Sequence, residues 1–148
     1  MDKKKIIQYL PYTKPFLFVD ELTEITENGV IGNYTFKENE FFYEGHFKKN
    51  PITPGVILTE TMAQIGVVCL GIYLLKNEFT SEKTLQIALT SSQVDFFISV
   101  LPNEKVTVIS EKKYFRFNKL KCSVKMINEK NELVCRGIIS GMIITKQI

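Results

Sequence analysis

The chain has 148 residues, 45% of them hydrophobic, which suits one domain with enough apolar material for its own core. A formal charge of +3 is a mild basic excess, below the density of a dedicated nucleic-acid binder, and it excludes nucleic acid as the expected partner. Cys69, Cys122 and Cys135 are widely spaced and no Cys-x-x-Cys or His/Cys cluster accompanies them, so a reducing cytoplasm fits and neither a metal nor a disulfide framework is expected.

At the N-terminus the basic run Lys3-Lys4-Lys5 leads into a short apolar stretch that stops at Pro11 without a small-residue cleavage pattern, so no signal peptide is expected. Residues Phe16 to Thr26 are β-like, Asn28-Gly29 supplies a turn, and Val30 to Phe36 reads as the second strand of a hairpin. Glu38 to Pro54 lacks periodicity and holds Gly45, Pro51 and Pro54; its Phe41, Phe42, Tyr43 and Phe47 mark it as a packed loop. Thr53-Pro54-Gly55 predicts a helix start, with Thr53 as N-cap and Pro54 first in the helix, which runs to about Lys76. Val56 to Leu75 approaches the length of a membrane span, but Glu60 and Gln64 interrupt it, and Ile65 to Leu75 alone is too short to cross a bilayer. It reads as a buried helix. Four further strands follow, Thr84–Thr90, Lys105–Phe117, Lys121–Asn128 and Leu133–Thr145, with no second long helix. A helix apolar nearly all round must be covered on every side, so the expected class is α+β, one domain over residues 1–148, with a curved antiparallel sheet wrapped around one long central helix.

Four residues could carry chemistry. His46 is the only histidine, set among aromatic and apolar residues just before the helix; a lone histidine serves packing as readily as acid/base work. Glu60 sits about one and a half turns into an apolar helix, where a carboxylate must be paired, protonated or functional. Gln64 lies at i+4 on the same face, placed to orient the Glu60 carboxyl, although an amphipathic face turned to water gives the same spacing. Gly55 opens the helix, so its N–H has no acceptor within the helix and its missing side chain permits close approach of a ligand oxygen. A base, an oxyanion donor and an acid are the inventory for β-elimination.

The run Gly45-His46-Phe47 through Pro54-Gly55 to Glu60-Thr61-Met62-Ala63-Gln64 resembles the signature of the bacterial 3-hydroxyacyl-acyl-carrier-protein dehydratases, with histidine and glutamate fourteen residues apart. Leu10-Pro11-Tyr12-Thr13-Lys14-Pro15-Phe16-Leu17-Phe18-Val19-Asp20 is similar to that family's N-terminal segment, and Val100-Leu101-Pro102-Asn103-Glu104 to its later turn. The resemblance implies a hot-dog fold and dehydration of a 3-hydroxyacyl thioester to the trans-2-enoyl product. It gives His46 the C2 proton, the Gly55 N–H the thioester oxygen and Glu60 the departing hydroxyl. Ile52 would orient the His46 ring through its carbonyl, Gln64 would support Glu60, and Phe47, Phe16 and Met62 would line the acyl tunnel. It also implies a homodimer whose sites are shared across the interface, with hexamers left open, acyl carrier protein as partner, no cofactor beyond the carrier's phosphopantetheine, and a cytoplasmic location.

The chain departs from that pattern in two places. Lys48 and Lys49 replace Pro and Gly after the His-Phe pair, and Thr90 to Phe97 lacks the family's gating aromatic and basic element. These departures point to a specialised secondary-pathway member, such as one making polyenes, and shift attention to Lys48, Lys49, Lys112, Lys113, Arg116, Lys119 and Lys121 as the basic approach for an acidic carrier. Solvated strand edges kept soluble by lysine are the plain alternative for those beyond Lys49. The competing functions are a hot-dog acyl thioesterase, which would use a carboxylate to activate water, and a non-catalytic acyl-binding or heterodimer subunit.

Overall fold

The computed structural model describes residues 1–79 and 83–147. It begins with a short helix that the sequence reading lacks, α1 (Lys3–Tyr9), whose first turn is held by the Asp2 carboxylate accepting from the Lys5 N–H at 2.8 Å. Ile6 from this helix is fully buried, so a single apolar anchor fixes a segment too short to show a period.

The hairpin forms as β1 (Glu21–Thr26) and β2 (Gly29–Thr35). The strand expected from Phe16 starts only at Glu21, because the Phe18 N–H is taken by the Gln64 side-chain oxygen at 2.8 Å and cannot join a ladder. The later strands are β3 (Lys83–Phe96), β4 (Lys105–Arg116), β5 (Lys119–Ile127) and β6 (Leu133–Gln147). They join the hairpin in one antiparallel sheet of order β1-β2-β4-β5-β6-β3. β3 extends six residues beyond the expected Thr90, through Ser91, Ser92, Gln93 and Asp95, because its register is set by cross-strand pairing with β6 and not by its own apolar content.

Against the concave face lies α2 (Gly55–Leu74), the expected central helix. It is long and apolar enough to match a membrane span by composition, yet 78% of its apolar window is buried in the protein, which identifies it as core. Pro54, not Thr53, is the N-cap: the Pro54 carbonyl accepts from the Ile57 and Leu58 N–H groups, while the Thr53 hydroxyl pairs with Tyr43. The helix ends at Leu74, short of Lys76, and is followed by a single 3-10 turn, Lys76–Glu78.

Midway, from Gln64 to Cys69, α2 widens into a π turn. Gly66 lies in this stretch at a close approach of helix and sheet; a Cβ there would sit 3.0 Å from Val124 and 3.1 Å from the Ser110 side chain. The buried Ser110 hydroxyl donates to the Gly66 carbonyl at 2.8 Å, tying β4 to the widened turn. The helix is sealed by Val108, Cys122, Val124, Met126, Ile139 and Ile143 from the sheet, all buried. This is the hot-dog arrangement expected from the sequence.

Candidate active site

The loop between β2 and α2 is anchored by two of its four aromatic residues, Phe42 and Tyr43, while Phe41 and Phe47 are exposed. A 3-10 turn, Phe41–Glu44, buries Phe42 and Tyr43, and Phe42 meets the rings of Phe18 and Phe36. Tyr43 and Thr53 share a hydroxyl–hydroxyl bond of 2.5 Å, and burial pushes the Tyr43 phenol up to about 12, so it stays protonated. The Thr53 N–H donates to the Val100 carbonyl at 2.9 Å, which ties the loop's end to the segment after β3.

Between these anchors residues 46 to 52 fold back on themselves. The Ile52 N–H donates to the His46 carbonyl at 2.8 Å, and Phe47 and Asn50 exchange backbone bonds. The same turn brings the Ile52 carbonyl 2.9 Å from His46 Nδ1. A carbonyl can only accept, so Nδ1 is the donor, and in the neutral imidazole the lone pair then lies on Nε2, the form that can act as a base. The ring is half-buried and stacks on Phe47 at a centroid distance of 4.0 Å.

His46, Ile52, Thr53 and Gly55 line a cavity of about 330 Å³ with Phe96, the last residue of β3, and Phe97 just after it. Gly55 is the first residue of α2, so its N–H has no acceptor within the helix and adds to the positive end of the helix dipole. A Cβ at this position would meet the Phe96 ring at 3.3 Å, so glycine lets the ring cover the helix start closely. Phe96 was not among the site residues read from the sequence; only its place at the end of an extended edge strand brings it here.

Glu60 lies one and a half turns further along. Its Oε1 accepts from Gln64 Nε2 at 3.0 Å, and the rest of the Gln64 amide is also committed: Nε2 donates to the Phe16 carbonyl at 3.0 Å and Oε1 accepts from Phe18. Gln64 is fully buried and so locked by three bonds, giving Glu60 a fixed partner. Burial raises the Glu60 carboxyl above the usual carboxylate value, with the Gln64 hydrogen bond opposing it in part. Glu60 opens into a second, smaller cavity of about 150 Å³, lined also by Tyr12, Ala63, Val67, Ile87 and Leu89. Tyr12, like Ile87 and Leu89, is a wall residue not singled out from the sequence, although its segment was.

No residue lines both the His46 and the Glu60 cavity. Within one chain the two groups face separate spaces. Phe47 and Phe16 are partly exposed, the first against His46 and the second against Tyr12 and Phe18. Met62 is fully buried with its sulfur 3.8 Å from Cys135 Sγ; it lines neither cavity, and its place is in the core. A hollow of about 540 Å³ on the outer sheet face, with Asp95, Glu111, Lys125 and Arg136, contains neither His46 nor Glu60.

Residues 10–136 match the FabA-like domain family. The chain is 37% identical over 111 residues to the 3-hydroxyacyl-acyl-carrier-protein dehydratase FabZ of Acinetobacter baumannii, covering 75% of each chain. It is 32% identical over 150 residues to the enzyme of that name from Sinorhizobium medicae, covering 99% of this chain and 92% of that one. Among solved structures, the dehydratase heterocomplex ApeI:P of Xenorhabdus doucetiae superposes with a TM-score of 0.78 at 12% identity, over 93% of this chain and 89% of the other. A hypothetical thioesterase of Streptococcus pneumoniae bound to coenzyme A gives 0.65 at 12% identity, over 86% and 88%, so the fold is shared by both kinds of protein. The match across residues 10–136, with the near full-length likeness to FabZ, shows that the chain belongs to the FabA-like family.

Proposed function

We propose that this protein removes water from 3-hydroxyacyl groups carried on acyl carrier protein, yielding the trans-2-enoyl thioester, in the cytoplasm and within fatty acid or polyene-type chain elongation. The observation that carries this reading is the pairing of a half-buried imidazole, its Nδ1 turned to the Ile52 carbonyl, with a carboxyl that burial keeps more protonated than usual.

In the step itself, His46 Nε2 takes a proton from C2. Negative charge gathers on the thioester oxygen, which the Gly55 N–H and the start of α2 stabilise. The C3–O bond breaks as the Glu60 carboxyl delivers its proton to the hydroxyl, and water leaves. His46 ends with one proton more and Glu60 with one fewer, and exchange with solvent resets both. Proton transfer of this kind contributes roughly 100- to 10,000-fold for each group. The reaction calls for no cofactor beyond the carrier's phosphopantetheine.

Because the two cavities are separate within one chain, the working site is a shared one, with His46 from one protomer facing Glu60 of the other. Support comes from β3, which among the described residues pairs only with β6 and leaves its other edge unpaired over fourteen residues. That strand walls both cavities, Ile87 and Leu89 in one and Phe96 in the other, so pairing two copies of it would close both together. The test is purified protein with 3-hydroxyacyl-acyl carrier protein, with loss of water followed by mass. Turnover abolished by His46→Ala and by Glu60→Gln supports the reading; hydrolysis of the thioester in its place would overturn it.

A further inference from the structure

The Glu60 cavity holds a second polar side chain that the mechanism leaves unused. Apart from Glu60 and Tyr12 its lining residues are Ala, Val, Ile, Leu and Gly, so the Tyr12 phenol is the carboxyl's sole polar companion there among the described residues. In a space of about 150 Å³ with apolar walls, a hydroxyl that enters must find its hydrogen bonds with these two groups.

Three tyrosines have phenols raised by burial, and two of them are committed: Tyr34 bonds Glu40 and Tyr43 bonds Thr53. The Tyr12 hydroxyl has no such partner among the described residues. None of the described side-chain oxygens is both buried and unpaired, so the Tyr12 hydroxyl opens onto free space. The Tyr12 residue also borders a groove of about 550 Å³ along β3, but no charged residue lines that groove. Glu60, by contrast, acts on the phenol: after burial, its charge is the largest cause that keeps the Tyr12 proton in place. On the carboxyl itself, Oε1 is taken by Gln64, and among the described residues the second oxygen accepts from no protein donor.

One glutamine fixes both groups. Gln64 donates to Glu60 and to the Phe16 carbonyl and accepts from the Phe18 N–H, so a buried amide clamps the segment that carries Tyr12 to the helix that carries Glu60. Nearer Tyr12, the Phe16 N–H donates to the Thr13 carbonyl at 2.8 Å, and Leu10 is buried on the other side. The phenol and the carboxyl are therefore held in a set relation before substrate arrives.

We propose that the Tyr12 hydroxyl binds the 3-hydroxyl of the substrate beside Glu60 and stays hydrogen-bonded to that oxygen as it leaves. The 3-hydroxyl oxygen has two lone pairs, one for each donor. Tyr12 keeps its own proton throughout. The proton that completes the departing water comes from Glu60, and the electron pair of the broken C3–O bond goes to that oxygen. Such a site rejects an acyl group that lacks the hydroxyl, because two buried polar groups would then go unpaired. The inference rests on the dehydratase reading for its substrate.

The test is Tyr12→Phe, which keeps the ring and removes the hydroxyl. On the carrier-bound 3-hydroxyacyl substrate, kcat/KM should fall about tenfold or more. Melting temperature should not change, since the hydroxyl has no partner in the fold to lose. The second measurement needs no turnover: in a His46→Ala background, a 3-hydroxyoctanoyl group should bind roughly five- to tenfold more tightly than an octanoyl group on the same carrier protein. Adding Tyr12→Phe should remove most of that preference and leave octanoyl binding unaltered. Absence of the preference, its survival in Tyr12→Phe, an equal loss for both acyl groups, or an unchanged kcat/KM would overturn the role of Tyr12. An unaltered protein that binds the 3-hydroxyacyl group selectively but releases no water would count against the dehydratase reading alone.

Discussion

The loop that holds His46 and the helix turn that holds Glu60 are built in opposite ways. His46 is half-buried and held by one hydrogen bond, to a main-chain carbonyl, and by stacking on Phe47, on a loop whose own backbone bonds create that hydrogen bond. Glu60 sits in a preformed helix, beside a fully buried glutamine whose every polar atom is spent. The contrast suits the two tasks proposed for them. A base needs an available lone pair, which the Ile52 carbonyl secures by fixing the tautomer. An acid needs a retained proton, which desolvation supplies and Gln64 keeps correctly aimed.

Removing either end of this pair is the largest expected effect: His46→Ala or Glu60→Gln should lower kcat by roughly 100- to 10,000-fold with circular dichroism unchanged. Next in size is Gln64→Met, which keeps the volume but leaves the Phe18 N–H and the Phe16 carbonyl without partners. It should cost about 2–4 kcal/mol in urea unfolding and reduce turnover as Glu60 loses its anchor. By contrast, Ser110→Ala removes a single buried bond to the widened turn of α2 and should cost about 1–2 kcal/mol with kcat little changed. A larger fall in kcat would mean that the π turn, not Gln64 alone, aims the carboxyl.

Titration separates the two regions most gently. Because the native Glu60 carboxyl is raised above its unfolded value, the folded protein binds a proton more tightly than the unfolded one. Its contribution to stability is therefore greatest in acid and declines as pH rises from the ordinary carboxylate range through the raised native value. Glu60→Gln lacks this decline, so the variant should gain on the unaltered protein in Tm as pH rises and match it in acid. Turnover should fall on the alkaline side over the same interval as Glu60 loses the proton it donates.

How far the sequence reached follows from where the constraints lie. Glu60 and Gln64 were legible because a carboxylate and an amide at i,i+4 share one face of an apolar helix; full burial of Gln64 removes the alternative of a face turned to water, and the bond of 3.0 Å is the expected one. The one long helix and its wrapping sheet followed from a run that is apolar nearly all round and so must be covered on every side, and the hairpin from Asn28-Gly29. Thr53 misled because a hydroxyl before Pro-Gly looks like a cap, whereas Tyr43, ten residues earlier, competes for it. Phe96 and Tyr12 escaped notice because cavity walls assembled from an edge strand and an N-terminal segment leave no local pattern. The separation of His46 and Glu60 into two spaces is likewise a property of the folded chain, invisible in a spacing of fourteen residues.

Mixing two inactive proteins tests the shared site most directly. His46→Ala and Glu60→Gln protomers, unfolded and refolded together, give mixed dimers in which one of the two sites keeps both an intact histidine and an intact glutamate. Recovery to about a quarter of unaltered activity at equal mixing, the value for random pairing, is the expected result. Activity that stays at the level of the separate variants, with mixed dimers shown by mass to have formed, would contradict a site built from two chains.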